Sequence, residues 1–244
     1  MARPAAVSSF ESVSTWSQPE PAPASVRRSR LVAELAGRIV ASSPGRLRVV
    51  IDGRTAAGKT SFGHELASAV RLLGRPTLRA SLDDFKNPWP EAFRLGYDRT
   101  SGPGFYRNAW DFTAARELLL TPAGPGGSGA VVLCARDPHT GTDHSSVVVR
   151  APEDAVLVVD GVFAFRPEYD EFWDHRIWLE VGAEIAIQRG IARDTGLEGL
   201  EEATRLHRDR YLPAEEIYLA EIRPAERADF VIDNTDFANP VRWR

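Results

Sequence analysis

At 244 residues the chain can form one large domain with a substantial core, or a domain with a small appendage. Its 43% hydrophobic and 26% charged residues are ordinary for a soluble globular protein, and a net charge of −4 gives no support to nucleic-acid binding. No apolar run reaches membrane-span length, no apolar segment marks a signal peptide, and the single cysteine, Cys134, excludes an internal disulfide and fits a reducing cytoplasm.

In chain order, residues 1–25 are rich in Ser, Pro and Ala with few aliphatics, which predicts a disordered tail. The spacing of Leu31, Leu35, Ile39 and Val40 predicts an amphipathic helix over 27–41. RLRVVID (46–52) reads as a strand, and a helix is expected from Lys59 to about Leu73, before Gly74. TLRASLD (77–83) alternates as an edge-proximal strand does, and its residues 77, 79, 81 and 83 share one face. Residues 87–108, rich in Pro, Gly and aromatics, read as an irregular substrate-handling segment. A helix over 111–120 and a loop at 122–129 precede AVVLCAR and SSVVVRA, two short strands that can pair with each other. AVLVVDG (155–161) has the unbroken apolar character of a central parallel strand. A strand at 175–181, helices over 183–194, 199–211 and 214–222, and a last strand at 229–234 complete the chain. The alternation predicts an α/β fold with a mainly parallel five-stranded sheet flanked by helices, a small strand insertion and a helical lid over about 183–212, all in one domain over 26–244.

GRTAAGKT (53–60) fits the phosphate-binding pattern G-x-x-x-x-G-K-[ST], and it lies between a strand and a helix as the mechanism requires. Backbone N–H groups over Gly53, Arg54, Thr55, Ala56, Ala57, Gly58, Lys59, Thr60 and Ser61 would turn toward phosphate oxygens at a helix N-terminus. Lys59 would bridge the β- and γ-phosphates, and Thr60 would ligate Mg²⁺ brought in with ATP. Asp160, ending VLVVD, is the second metal-side candidate. It is followed by Gly161 rather than a water-activating Glu, and no guanine-reading [NT]-K-x-D occurs, so phosphoryl transfer to a small acceptor fits better than a motor or a GTPase switch. The five histidines show no zinc spacing.

Such a transfer needs a proton acceptor and cations on the γ-oxygens. SLDDFK supplies Asp83 as the candidate base, on the strand face of residues 77, 79 and 81. Asp84 begins the strand's exit and would orient the base, cap the turn or help with Mg²⁺, and Lys86 would face an anionic or polar group of the acceptor. Lys86 is notable because thirty residues are lysine or arginine and only Lys59 and Lys86 are lysine. Arg189 and Arg193, four apart in QRGIARD, share a helix face and suit a closing lid. Trp89, Phe93, Tyr97, Phe105 and Tyr106 offer rings for a base to stack on, or for packing the loop onto the core.

Together IDGRTAAGKTSF, SLDDF, GFYRNAWDF, VLVVDGVFAFRPE, QRGIARD and RYLPAEEIYLAEIRPAERADFVIDNTD resemble, over about 45–240, the uridine kinase-like branch of P-loop kinases, within the phosphoribulokinase/uridine kinase superfamily and its bacterial branch. The resemblance implies that Asp83 accepts the proton of the acceptor hydroxyl. It places Tyr106 and Asp111, with Arg107 between them, on the nucleoside side, and turns Arg189 and Arg193 toward phosphate. Asn234, opening the loop to Pro240, would flank adenine. TAAGKT in place of a serine-rich loop, DDFK in place of D-S-F-Y, the missing His-Pro near Arg107–Asn108, and Asp160 where Glu is usual are departures that bear on the acceptor. The implied activity is ATP-dependent phosphorylation of a nucleoside-like hydroxyl. The alternatives are another small alcohol (a sugar, a pantothenate-like metabolite or a nucleoside antibiotic) or a non-catalytic nucleotide-binding regulator. No nucleic-acid or membrane partner is expected, and a homo-oligomer is left open.

Overall fold

The computed structural model describes residues 9–10, 12–16, 21, 25–94 and 96–244. Among the described residues, nine strands form two sheets. The larger has seven strands in the order β1 (Ser9–Phe10), β3 (Thr77–Ser81), β6 (Val156–Asp160), β2 (Leu47–Gly53), β7 (His175–Glu180), β8 (Phe230–Asp233) and β9 (Val241–Arg242). Every neighbouring pair is parallel except β8 with β9. The five expected strands are its centre. The two additions are edge strands of two residues each, too short for alternation to register in sequence. In the smaller sheet, β4 (Ala130–Val131) pairs antiparallel with β5 (Val149–Arg150). The two strands expected there shrink to these residues because the chain beyond β4 bonds elsewhere: Val132 N donates to Leu118 O, and Ala135 N and Arg136 N both donate to Asp84 O.

Alternation along the central strands builds two cores, one on each face of the sheet. Val49, Ile51, Val158, Ile177 and Leu179 pack with helices α1 (Val26–Ser42) and α2 (Lys59–Leu72) through Leu35, Ile39, Phe62 and Leu66. Burying each such side chain contributes about 1.5–3 kcal/mol. Val50, Leu157, Val159 and Trp178 face the other way, into a core rich in rings: Phe105, Tyr106, Trp110, Phe163 and Tyr218. That face is covered by the helices Gly102–Asn108 and Leu212–Ile222 and by a helical run over Phe112–Ala114, Ala115–Leu120 and Thr121–Ala123. Burial on both faces explains why VLVVD has no polar alternation until Asp160.

Register brings the site together. Ile51 and Ser81 both sit opposite Asp160, so the loops leaving β2, β3 and β6 emerge side by side at the carboxyl edge. In open α/β sheets, ligands bind at this edge.

The expected tail falls largely outside the described residues, but its described part departs from that reading: Ser9–Phe10 pairs with β3, and residues 12–16 are bonded to the body. The segment 87–108 carries two short helices, Trp89–Arg94 and Gly102–Asn108, rather than irregular chain throughout. No helix among the described residues is long and apolar enough to cross a membrane.

Candidate active site

β2 delivers the chain to a tight loop that only particular backbone conformations close. Ala56 and Gly58 both have positive φ, 61° and 93°. At Gly58 a Cβ would also stand 2.8 Å from Asn234 Nδ2, so glycine is required there twice over. The first turn of α2 has no side-chain cap at Gly58, which leaves its N–H groups directed at the loop's mouth. Lys59 folds back over the loop, donating to Gly53 O (3.0 Å) and Arg54 O (2.8 Å). Burial pulls its ammonium below the ordinary lysine range, opposed by the charges of Asp52, Glu215, Asp160 and Asp83.

Three supports of this loop carried no signal in the sequence motif. Glu215, buried, accepts from Thr55 N (2.6 Å) and from Arg54 Nη1 (3.0 Å), clamping the loop from the helix Leu212–Ile222. Asp52 lies under it, fully buried and bonded to Gly53 N, Ala164 N and the Tyr218 hydroxyl. Burial pushes its carboxyl up to about 6 despite those bonds and the charge of Lys59. Arg28 of α1 donates to Asn234 Oδ1 (2.8 Å) while Asn234 Nδ2 holds Ala57 O (2.7 Å). Asn234 is therefore a fully buried strut of the loop and does not face the cleft, because both ends of its amide are already engaged.

Next to the loop, the Thr60 hydroxyl donates to Asp160 Oδ2 (2.7 Å), and Arg79 Nη2 pairs with Asp160 Oδ1 (2.6 Å). Arg79, the polar position of β3, has room because α2 carries Gly63 there: a Cβ would meet the guanidinium at 2.8 Å. The hydroxyl and the carboxylate are hard oxygen donors at the mouth of a phosphate-binding loop, as Mg²⁺ requires. No group of three or more His, Cys, Asp or Glu among the described residues could hold a metal alone. Magnesium held with phosphate oxygens and one carboxylate matches that donor set.

A cleft of about 300 Å³ runs past the loop. Thr55, Ala56, Gly58, Lys59, Thr60 and Ser61 line it together with Asp83, Lys86, Arg189 and Arg193. Both lysines of an otherwise arginine-only chain meet in this one cavity. The strand before Asp83 ends sooner than expected, at Ser81, and Leu82–Phe85 forms a single 3₁₀ turn, with the Ser81 hydroxyl accepting from Asp83 N (3.2 Å). The turn separates the two acids. Asp83 points into the cleft and pairs with Lys86 (2.8 Å). Burial alone would raise its carboxyl, but the charge and hydrogen bond of Lys86, with Lys59 and Arg193 beyond, hold it below the usual range. Asp84 turns away, is 2% exposed and receives the Ser14 hydroxyl. Burial pushes it up to about 7, with the charges of Asp83 and Asp160 raising it further against that hydrogen bond.

Arg189 and Arg193 both lie on the helix Ala183–Glu198 and reach the cleft. Arg189 donates to Asn234 O (3.2 Å) and Thr235 O (2.6 Å), tying the helix to the loop after β8. Arg193 pairs with Asp194 (2.6 Å), which also bonds the buried His207 (2.8 Å).

The other expected acceptor residues are not brought here. Tyr106 is 2% exposed, packed edge-on against Phe163, with its hydroxyl on Glu221 Oε2 (2.9 Å). Arg107 faces solvent near Glu221. Asp111 caps a helix through Ala114 N (2.9 Å), and Tyr97 is exposed away from the cleft. Phe105, Val162, Tyr211 and Trp16 line the cleft instead.

No protein-family model and no curated protein matches the chain by sequence. Solved structures do. A possible uridine kinase from Bacillus stearothermophilus is 24% identical, with a TM-score of 0.60 over 83% of this chain and 97% of that one. A candidate fructose transport system kinase from a Silicibacter species is 21% identical, with a TM-score of 0.56 over 82% and 94%. D-glycerate 3-kinase from Cryptococcus neoformans var. grubii is 13% identical, with a TM-score of 0.53 over 77% and 86%. The fold is that of the uridine kinase-like and related P-loop kinases.

Proposed function

We propose that the chain is an ATP-dependent phosphotransferase that phosphorylates a hydroxyl of a small molecule. The observation that carries this reading is the placement of an ionised, cation-paired Asp83 in one cleft with Lys59, Thr60 and the open N-terminus of α2. Nucleotide binding alone would not need this carboxylate in the cleft.

The loop N–H groups and Lys59 hold the β- and γ-phosphates, and Thr60 with Asp160 would hold Mg²⁺, which would supply neutralising charge to the phosphates. Arg189 and Arg193 stabilise the equatorial oxygens and help to exclude water. Asp83 takes the proton as the acceptor oxygen bonds to phosphorus and the bond to ADP breaks. Lys86 keeps Asp83 ionised until then. Lys59, already bonded to two loop carbonyls, exchanges those for phosphate oxygens, so its position is set before the nucleotide arrives.

For the acceptor we take a nucleoside-like molecule first, because three rings wall that side of the cleft. A second reading, a different small alcohol, is favoured by the absence of Tyr106, Asp111 and Arg107 from the wall. The structural neighbours' names span a uridine kinase, a fructose transport system kinase and a glycerate kinase, which supports testing both. ADP release from ATP and Mg²⁺ with a panel of nucleosides, sugars and hydroxy acids decides the matter. Acceptor-dependent release is expected, and ATP binding without turnover on any acceptor would refute the catalytic reading.

A further inference from the structure

The stretch Ser12 to Trp16 is held by residues far along the chain. The Ser14 hydroxyl donates to Asp84, Thr15 N and Oγ1 donate to Asp137 Oδ2 (2.6 Å) and Oδ1 (2.9 Å), and the Trp16 indole lies on His139 with ring centroids 4.8 Å apart. Both carboxylates are fixed sockets. Asp84 is buried beside the proposed base, and Asp137, 1% exposed, also takes His139 N (3.0 Å) and Thr140 N (2.8 Å). Thr15 therefore completes a carboxylate already committed to holding its own turn.

These anchors leave the Trp16 indole half-buried in the wall of the cleft that Asp83, Lys86, Phe105 and Tyr211 also line. Trp16 belongs to neither of the two cores. Its contact with His139 is tilted, at 44° between the rings, and the indole also borders the open cleft.

We propose that residues 12–16 form a strap across the acceptor end of the cleft, and that Trp16 determines specificity by stacking on a flat ring of the acceptor. The ligand class is a ring-bearing alcohol, such as a nucleoside, in preference to an open-chain hydroxy acid. The inference rests on the phosphotransferase reading and names the substrate class of that same site. The strap also ties acceptor selection to Asp84: the residue after the base holds the segment that closes the wall, so base and wall are placed by one 3₁₀ turn.

The test is calorimetric titration of the full chain with a non-hydrolysable ATP analogue and Mg²⁺, then with uridine, cytidine and D-glycerate. Wild type, Trp16→Phe, Trp16→Ala and the double variant Ser14→Ala/Thr15→Val are compared. Stacking of one base predicts that Trp16→Ala weakens nucleoside affinity about tenfold, that Trp16→Phe restores most of it, and that analogue affinity stays within twofold. The double variant, which frees the strap without touching the ring, is expected to weaken nucleoside binding as well. Nucleoside affinity unchanged in Trp16→Ala, or tighter because the ring had plugged the cleft, overturns the proposal. Weakening by Trp16→Ala but not by the double variant overturns the strap's part in it. A wild type that binds the analogue and D-glycerate but neither nucleoside overturns the ring class and leaves the phosphotransferase reading standing. Failure to bind the analogue removes both.

Discussion

The two sides of the cleft are built by different means. The proposed phosphate side is a contiguous stretch, Gly53 to Ser61, which would bind chiefly through its backbone conformation. The acceptor side is a set of side chains, Trp16, Asp83, Lys86, Phe105, Val162 and Tyr211, from separate parts of the chain. Phosphate is one invariant ligand and can be met by one local motif. An alcohol acceptor has no universal shape, so its wall depends on which distant residues the fold brings together. The supports differ accordingly. The loop is clamped from below by Asp52, Glu215 and Asn234, whereas the acceptor wall hangs on a turn and a strap.

The largest expected effect tests the phosphate side alone. Lys59→Ala removes the ammonium aimed at the transferring group and should cut kcat by about 10³-fold or more. The circular dichroism spectrum should not change, because the lysine's present bonds are to two loop carbonyls rather than to the cores. Turnover within tenfold of wild type would break the assignment of the loop. Asp83→Asn probes the opposite wall and should lower kcat by about 10²-fold while ATP affinity holds. Near-normal kcat with poor ATP binding would move Asp83 to the nucleotide side and erase the distinction between the walls.

What could be read from sequence follows the same division. The P-loop, the strand carrying Asp160 and the pair Arg189/Arg193 were legible because each is a local pattern of loop glycines, apolar run or helical spacing. Asp83 was legible as a candidate, but the reason given for separating it from Asp84 was a strand face. The actual cause is a 3₁₀ turn starting at Leu82. Tyr106 and Asp111 were misplaced because a sequence segment does not say which of its side chains turns inward: in the helix Gly102–Asn108 it is Phe105 that reaches the cleft. Glu215 and Arg79 left no mark, since an acid on a helix or an arginine on a strand is ordinary until tertiary packing buries it. Trp16 was hidden most completely, in a stretch whose composition resembles a tail.

A smaller, thermodynamic effect sharpens the contrast between the two adjacent acids. Asp84 sits near 7 in the folded protein against about 3.8 unfolded, so the native state keeps a proton that the unfolded chain gives up. Its contribution to stability is fully present below about pH 4 and is lost as pH rises through 7, at about 1.4 kcal/mol per unit of difference. Asp52, near 6, acts in the same direction over a lower window. Urea unfolding at pH 5.5, 6.5, 7.5 and 8.5 should show Asp84→Asn losing less stability than wild type as pH rises. Parallel curves for the two proteins would mean that Asp84 is ionised throughout. Asp83, held low by Lys86, should show the opposite sense: its contribution is present above the unfolded value and is lost only in acid.

The smallest effect is the one that separates wall from core. Tyr106 and Phe105 are neighbours on one short helix, yet the first is edge-on to Phe163 in the ring-rich core and the second lines the cleft. Tyr106→Phe keeps the ring and removes only the hydroxyl that donates to Glu221. One hydrogen bond to a half-exposed carboxylate contributes about 1 kcal/mol, so a fall in stability of that order is expected, with acceptor KM and kcat within twofold of wild type. If the hydroxyl instead contacted the acceptor, KM would rise with little change in unfolding. Steady-state kinetics beside urea unfolding on this one variant therefore tells the two apart. A rise in KM without loss of stability would return Tyr106 to the acceptor wall and require a different rotation of the helix Gly102–Asn108.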